Sequence, residues 1–457
     1  MQLETHSQNK MAVRPIGPLL ISMAFPIMVS MMVQALYNIV DSIFIARVSE
    51  DALTAVSLAF PIQMLIISIS VGTAIGLNSL LSRRLGARRI EEASNVAMTG
   101  LFLAFVISIL FAIFGFAISK VFFKWFTDNS DIINMGYTYL LIVSTLSMGV
   151  FVQIACERIM QGTGNTISPM ITQATGAIVN IILDPILIFG WFGLPAMGVA
   201  GAAIATVIGQ WTAMVMAFSF MLKKTTELNF KFKGFRPRKE TILDIYRVGF
   251  PSIIMQSIGS VMTVGMNTIL IGFSATAVAV FGIYFKLQSF VFMPVFGLVN
   301  ALISIVAFNY GARNRQRITQ GVRIGMGIAF TVMLTGTVIF QFTPRLLLSL
   351  FDASDHMMSL GVKALRIISL HFPLAAIAIT LSSVFQAMGK GVYSLYMSLV
   401  RQLVVLLPVA YLLALTLGLD ATWFSFLISE IVSITMAIIL YHRIYHAKIK
   451  HLIPSSV

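Results

Sequence analysis

Four carboxylates stand inside long apolar runs, where a membrane chain has least reason to keep them: Asp41, Glu157, Asp184 and Glu430. Burying an ionisable group at membrane depth is costly, so each is a functional candidate by default. Asp41 and Asp184 are the sharpest pair. Gln34, Tyr37, Asn38 and Asp41 recur at three- and four-residue spacing and share one helical face. Gln173, Asn180 and Asp184 share a second face, and Thr206 and Gln210 lie one turn apart on a third. Polar stripes in lipid must face one another or water, so these three predict a wet pocket. Two close carboxylates cannot both ionise cheaply; the pair either holds a proton or binds a cation. Asn180 and Tyr37 add oxygen ligands suited to Na+, while the carboxylates alone suit H+. The plainer reading is a set of buried acids satisfied by static hydrogen bonds.

Other residues carry weaker signals. Pro185 follows Asp184 and displaces the hydrogen bond to the Ile181 carbonyl, and Pro26 should kink the first span below Gln34. A charge switch beside a weakened helix is a mechanical coupling; a fixed kink is the alternative. Met64 and Gln34 belong to segments expected to line a central cleft, with Asn38, Gln173 and Gln210 as polar neighbours. The 27 Met and 35 Phe would give a flexible cavity tolerant of many substrates, although most must pack helices or meet lipid. Arg401 and Glu430 lie in neighbouring spans and could form a buried polar pair, read as structural. Glu157, followed by Arg158, reads as a pair near the inner interface or as an inner gate. His371 is of the side-chain type used for pH switching, but a lone histidine in a span reads as packed.

These residues need elements to hold them. The chain is 58% hydrophobic and 11% charged, with mean hydropathy +0.92. A soluble domain carries about 25% charged residues. Leu101–Ile118 and Ile324–Phe340 contain no charge at all. Runs near the roughly 20 residues that cross a bilayer indicate helices, not a barrel. Twelve spans are expected, at 17–46, 53–81, 95–118, 132–157, 166–190, 196–221, 242–271, 275–308, 320–342, 360–386, 393–416 and 421–442. Cys156 is the single cysteine, so no intrachain disulfide can form. Met1–Arg14 is polar and the first apolar run is too long for a cleavable signal. No metal-ligand cluster, Ser-His-acid set or phosphate loop stands at working spacing, so no cofactor is expected and an enzyme ranks last.

The chain also repeats itself at an offset of 225 residues. Phe25-Pro26 recurs as Phe250-Pro251, Gly86-Ala87-Arg88 as Gly311-Ala312-Arg313, Gln161 and Gly164 as Gln386 and Gly389, and Gly193-Leu194 as Gly418-Leu419. Six spans per half make the repeats parallel. The expected architecture is an all-α integral membrane protein, with twelve transmembrane helices in two parallel-repeat six-helix lobes. Residues 1–221 form the N-terminal lobe, 222–241 a basic connector and 242–457 the C-terminal lobe. The acids are not duplicated: Asp41 maps onto Met266 and Asp184 onto Val409. Basic residues cluster on one side, with Arg83, Arg84, Arg88 and Arg89, seven in the connector, Arg313, Arg315 and Arg317, and the tail Arg443, Lys448 and Lys450. The other side has few, together with Asp128, Asp131, Asp352 and Asp355. The positive-inside rule then places both termini in the cytoplasm of a cell (inner or plasma) membrane. The +14 charge becomes an orientation signal and a contact for membrane lipids, not a nucleic-acid surface.

Ala35-Leu36-Tyr37-Asn38-Ile39-Val40-Asp41, Gln161-Gly162-Thr163-Gly164-Asn165-Thr166, Asn180-Ile181-Ile182-Leu183-Asp184-Pro185 and Gly201-Ala202-Ala203-Ile204-Ala205-Thr206 resemble motifs of the multidrug and toxic compound extrusion (MATE) transporters. Leu85-Gly86-Ala87-Arg88 fits as well, and the resemblance covers nearly the whole chain. It implies two lobes, alternating access, and export of cationic or amphipathic compounds against an inward H+ or Na+ gradient. Within the family the chain looks most like the DinF-type branch, which implies a coupling site at Tyr37, Asp41, Asn180 and Asp184, with Thr206 a weaker match. The resemblance also suggests that the first helix bends on protonation, which Pro26 would permit. The NorM-type branch carries extra acids in the second lobe, where this chain offers His371 and Glu430. Amphipathic organic cations and membrane lipids are the expected partners, and a monomer the expected state. The rivals are a lipid-linked precursor flippase of similar two-lobe plan, which usually carries a cationic cavity and extra helices, and a facilitator-superfamily carrier, whose basic loop pairs arginines with an Asp that Ser82–Arg89 lacks.

Overall fold

The computed structural model describes residues 9–231, 233–351 and 354–453. Asp352, assigned above to the outer side, lies outside the described residues, as do the first eight and last four positions. The spanning helices are α1 (Ile16–Ala46), α2 (Glu50–Gly86), α3 (Ile90–Lys124), α4 (Ser130–Thr145), α5 (Met148–Gly162), α6 (Ile167–Phe189) and α7 (Val199–Lys224). They continue as α8 (Lys239–Ile271), α9 (Ala275–Gly311), α10 (Arg315–Phe342), α11 (Asp355–Ser369), α12 (Phe372–Ala387), α13 (Gly391–Leu417) and α14 (Leu419–Ile449). Ten described helices are long and apolar enough to cross a bilayer. The number rises to twelve if the bent pairs α4/α5, at 42°, and α11/α12, at 45°, each make one span.

The bends have local causes. At the end of α4 the Thr145 hydroxyl donates to the carbonyls of Leu141 and Ile142, competing with the helical ladder. At the start of α12, Pro373 sits in the first turn and offers no N–H, so the helix begins afresh there.

The duplication is written into the backbone. α2 and α9 each have 37 residues and stand 225 positions apart. Arg88 and Arg313 both take left-handed φ, at 58° and 55°, immediately after those helices. Gly164 and Gly389 do the same at 96° and 78°, and Gly193 and Gly418 at 83° and 84°. A left-handed residue is disfavoured for any side chain with a Cβ. Its recurrence at two arginines therefore means that the turn itself is kept.

The chain divides into two compact units. One gathers Val29–Leu85 and Arg89–Gly249; the other gathers Met1–Met28, Gly86–Arg88 and Phe250–Val457. α1 therefore changes unit just after Pro26, and α8 just before Pro251. Proline removes one rung of a helical ladder, and both changes fall beside one.

Within the first unit, α6 and α7 approach through glycine. A Cβ on Gly209 would stand 2.7 Å from the Gly176 carbonyl, and one on Gly176 would stand 3.0 Å from the Gly209 carbonyl. Small residues are what let membrane helices come this close. The basic connector is tied to the same unit: the Asn229 N–H donates to Ser94 Oγ at 2.9 Å and the Thr241 hydroxyl to Asn95 Oδ1 at 3.2 Å. Arg84 bridges Glu92 at 2.9 Å and Asp244, at the start of α8, at 3.6 Å. In the second unit Arg317 holds the segment before α1, donating to the Arg14 carbonyl at 2.7 Å and the Met11 carbonyl at 3.0 Å.

Candidate functional site

Asp184 is fully buried on α6, one turn beyond the buried Asn180. In the amide orientation that satisfies both its nitrogen and its oxygen, Asn180 donates to Asp184 Oδ2 at 3.1 Å. It then accepts from the backbone N–H of Thr206 at 3.1 Å. Thr206, on α7, is buried as well. The Gly176/Gly209 approach one turn below is what brings Asn180 within reach of α7. From α1, Tyr37 places its hydroxyl against the Thr206 side chain, and its ring end is near enough to feel both Asp41 and Asp184. Asp41 and Asp184 are themselves close enough to interact. Tyr37, Asp41, Asn180, Asp184 and Thr206 thus form one group drawn from three helices.

Asp41 differs from Asp184 in how it is held. Its Oδ1 is buried and meets no hydrogen-bond partner. An unsatisfied buried acceptor costs about 1–3 kcal/mol, and a bound proton or cation would remove that cost.

The other named residues spread out. Gln210 lies on α7 one turn beyond Thr206, half-buried, with Oε1 buried and unbonded. Gln34 and Asn38 are exposed on α1; Met64 on α2 and Gln173 on α6 are half-buried. Pro185 is buried, and both it and Pro26 lie inside helices that continue through them. Two members of the site were missed from the sequence. Tyr139, buried on α4, sits near Tyr37, Asp41 and Asp184. Its hydroxyl accepts from Gln63 Nε2, on α2, at 2.6 Å. A tyrosine inside an apolar span looks like packing; the available signal was Gln63, a polar residue in mid-span.

Glu157 interacts electrostatically with its neighbour Arg158, and both are buried. It accepts from Gln153 and from Thr172, each at 3.0 Å, while Arg158 donates to Gln161 at 3.1 Å. In the second unit Arg401 donates to Glu430 Oε2 at 3.4 Å. His371 is not simply packed: its Nδ1 stands 3.7 Å from the same oxygen and its Nε2 lies 3.2 Å from the Tyr284 hydroxyl. Among the described residues no group of three or more His, Cys, Asp or Glu could hold a metal ion.

The duplicated helical scaffold has known counterparts. The MatE pattern matches residues 26–186 and again 251–412, one match in each repeat. The chain belongs to the MatE family. This MATE protein is 26% identical over 427 residues to the probable multidrug resistance protein NorM of Thermotoga maritima, covering 92% of this chain and 91% of the relative. It is 24% identical over 398 residues to the FAD transporter of Shewanella oneidensis, covering 87% and 88%. Its fold matches a solved multidrug resistance MATE family transporter of the MOP superfamily, in an outward-facing conformation, with TM-score 0.90 at 27% identity, over 98% of this chain and 99% of that one. The protein is a multi-pass membrane transporter, not an enzyme.

Proposed function

We propose that this MATE transporter exports amphipathic organic cations in exchange for inward H+, with Na+ as the alternative ion, through the Asp41/Asp184 group. The reading rests on one observation above others: Asp184 is fully buried, the half-buried Asp41 of another helix stands within its electrostatic reach, and Asp41 keeps a buried, unbonded carboxylate oxygen. Tyr37, Asn180 and Thr206 fix the pair and supply neutral oxygens. No arginine or lysine is bonded to it among the described residues, which favours a mobile positive partner. A proton satisfies a carboxylate pair without further ligands.

The cycle needs unequal affinities in two states. An ion arriving from outside neutralises the group and disfavours a cationic guest in the outward-open form. Return to the inward-open form releases the ion and readmits the guest. Pro26 and Pro185 supply hinges in α1 and α6, and Gln34, Asn38, Met64, Gln173 and Gln210 line the guest's side. The lobes correspond to residues 1–221 and 242–457, with both termini cytoplasmic in a cell membrane. The transporter works as a monomer among lipids.

The test is efflux of a fluorescent organic cation from proteoliposomes under separate pH and Na+ gradients. Asp41→Asn and Asp184→Asn are expected to lose gradient-driven efflux at least tenfold. Unchanged efflux in both removes the coupling site, and efflux driven by Na+ alone overturns the choice of proton.

A further inference from the structure

Lys286 stands in mid-span in the second unit without a counter-charge among the described residues. At about 1.5 Å per residue, it lies roughly 16 Å along α9 from Ala275, where the chain has just turned from α8. The hydrocarbon layer is about 30 Å thick, so Lys286 sits near its middle whichever membrane face holds that turn. A charged side chain at this depth is costly and is kept where it meets a partner or a water-filled space. Other basic residues of the unit have partners: Arg401 donates to Glu430 at 3.4 Å, Arg366 to the Gln341 carbonyl at 3.1 Å and Lys363 to Asp420 at 2.7 Å. Lys286 makes no ion pair and no hydrogen bond; near its Nζ stands the ring of Phe351, with the centroid 5.9 Å away. A ring face steadies an ammonium without neutralising it.

The face that carries Lys286 is open. Gly282, Lys286 and Phe290 recur at four-residue spacing and share one side of α9. A Cβ on Gly282 would meet nothing within 4 Å, Lys286 is exposed, and Phe290 is 45% exposed. This side therefore presents an empty position, a cation and a ring in line. The other side, with Tyr284 and Leu287, is buried, and Glu430 is already engaged by Arg401. At the 225-residue offset α2 has Pro61, so the cation is no part of the shared scaffold.

We propose that Lys286 binds the anionic group, a carboxylate or a phosphate, of amphipathic cargo whose apolar body lies along Phe290. The transporter then accepts amphipathic anions and zwitterions as well as cations. The proposal rests on the export reading, because it names cargo for that same transporter. Charge favours it: an anion supplies the neutralisation that no described carboxylate gives. Depth favours cargo over lipid: headgroup phosphates lie at the membrane surface, roughly 15 Å away, whereas a compound crossing the bilayer must pass this level.

Two probes with one fluorescent body separate charge from bulk: dansylglycine, with a free carboxylate, and its methyl ester. Each is titrated onto the full-length protein in phosphatidylcholine nanodiscs, without an ion gradient. The parent is expected to bind the carboxylate at least about fivefold more tightly than the ester, as a charge-assisted hydrogen bond would give. Lys286→Gln should lose that preference and Lys286→Arg should keep most of it. Equal binding of the two probes by the parent, or a preference that survives Lys286→Gln, overturns the proposal. Native mass spectrometry provides the lipid arm: if Lys286→Gln sheds bound phosphatidylglycerol yet keeps the probe preference, the lysine serves a headgroup and the cargo proposal fails. If Lys286→Gln does not fold, the parent's ratio and Lys286→Arg still decide. Binding is read at equilibrium, so unchanged efflux in Asp41→Asn and Asp184→Asn would remove the coupling site and leave this result untouched.

Discussion

Asn180 joins an acid to a neighbouring helix, donating to Asp184 and accepting from the Thr206 backbone. A hydrogen bond to a charged group contributes about 1.5–3 kcal/mol. Asn180→Leu keeps the bulk and removes both bonds, so ion-driven efflux should fall about ten- to hundredfold while the protein still extracts as a monodisperse species. Initial rates in proteoliposomes measure this. Tyr139→Phe should be milder, roughly three- to tenfold, because it strips one hydroxyl from Gln63 and leaves both aspartates in place; the same assay separates the two variants. Asp41, Asp184, Asn180 and Tyr37 were legible in the sequence because acids and amides contrast with an apolar run and helical spacing fixes their faces. Tyr139 and Gln63 were not, since only tertiary packing brings α2 and α4 to α1 and α6. The polar neighbours of His371 were not legible for the same reason: Tyr284 and Glu430 lie on two other helices, at positions no local pattern links.

Helices were easier to read than their irregularities. Apolar runs mark where chain must satisfy its own backbone, so the expected limits lie close to the observed ones; α2, expected at 53–81, runs Glu50–Gly86. The break in 132–157 carries no proline; Thr145, whose hydroxyl donates to the Leu141 and Ile142 carbonyls, and Gly149 flank it. The π-helical stretch in α13, Val400–Leu406, is silent in the sequence. Close approach of α6 and α7 gives a prediction at this scale. Gly209→Leu would drive a side chain into the Gly176 carbonyl and the Asn180 Cβ, which would stand 2.7 and 3.2 Å from the new Cβ. Overpacking of this kind costs about 1–3 kcal/mol. A fall of several degrees in the thermal midpoint of detergent-solubilised protein should accompany loss of efflux. Gly193→Ala, with open space around its Cβ, should affect stability only through its left-handed backbone.

For the molecule as a whole, one buried cysteine makes orientation straightforward to test. With Cys156→Ser as background, Lys233→Cys should react with a membrane-impermeant thiol reagent only after cells are opened. Lys124→Cys, at the end of α3, should react in intact cells. Both results are the outcome expected from the positive-inside rule, and the reverse pattern would place the basic connector outside. The left-handed turns at Arg88 and Arg313 carry a consequence for how such a chain arose and could be rebuilt. The turn geometry is repeated in both halves, whereas Asp41 and Asp184 have no counterpart in the second. An artificial tandem of the second repeat should therefore fold into the familiar framework yet lack the Asp41/Asp184 group, until an aspartate is grafted at Met266 and another at Val409.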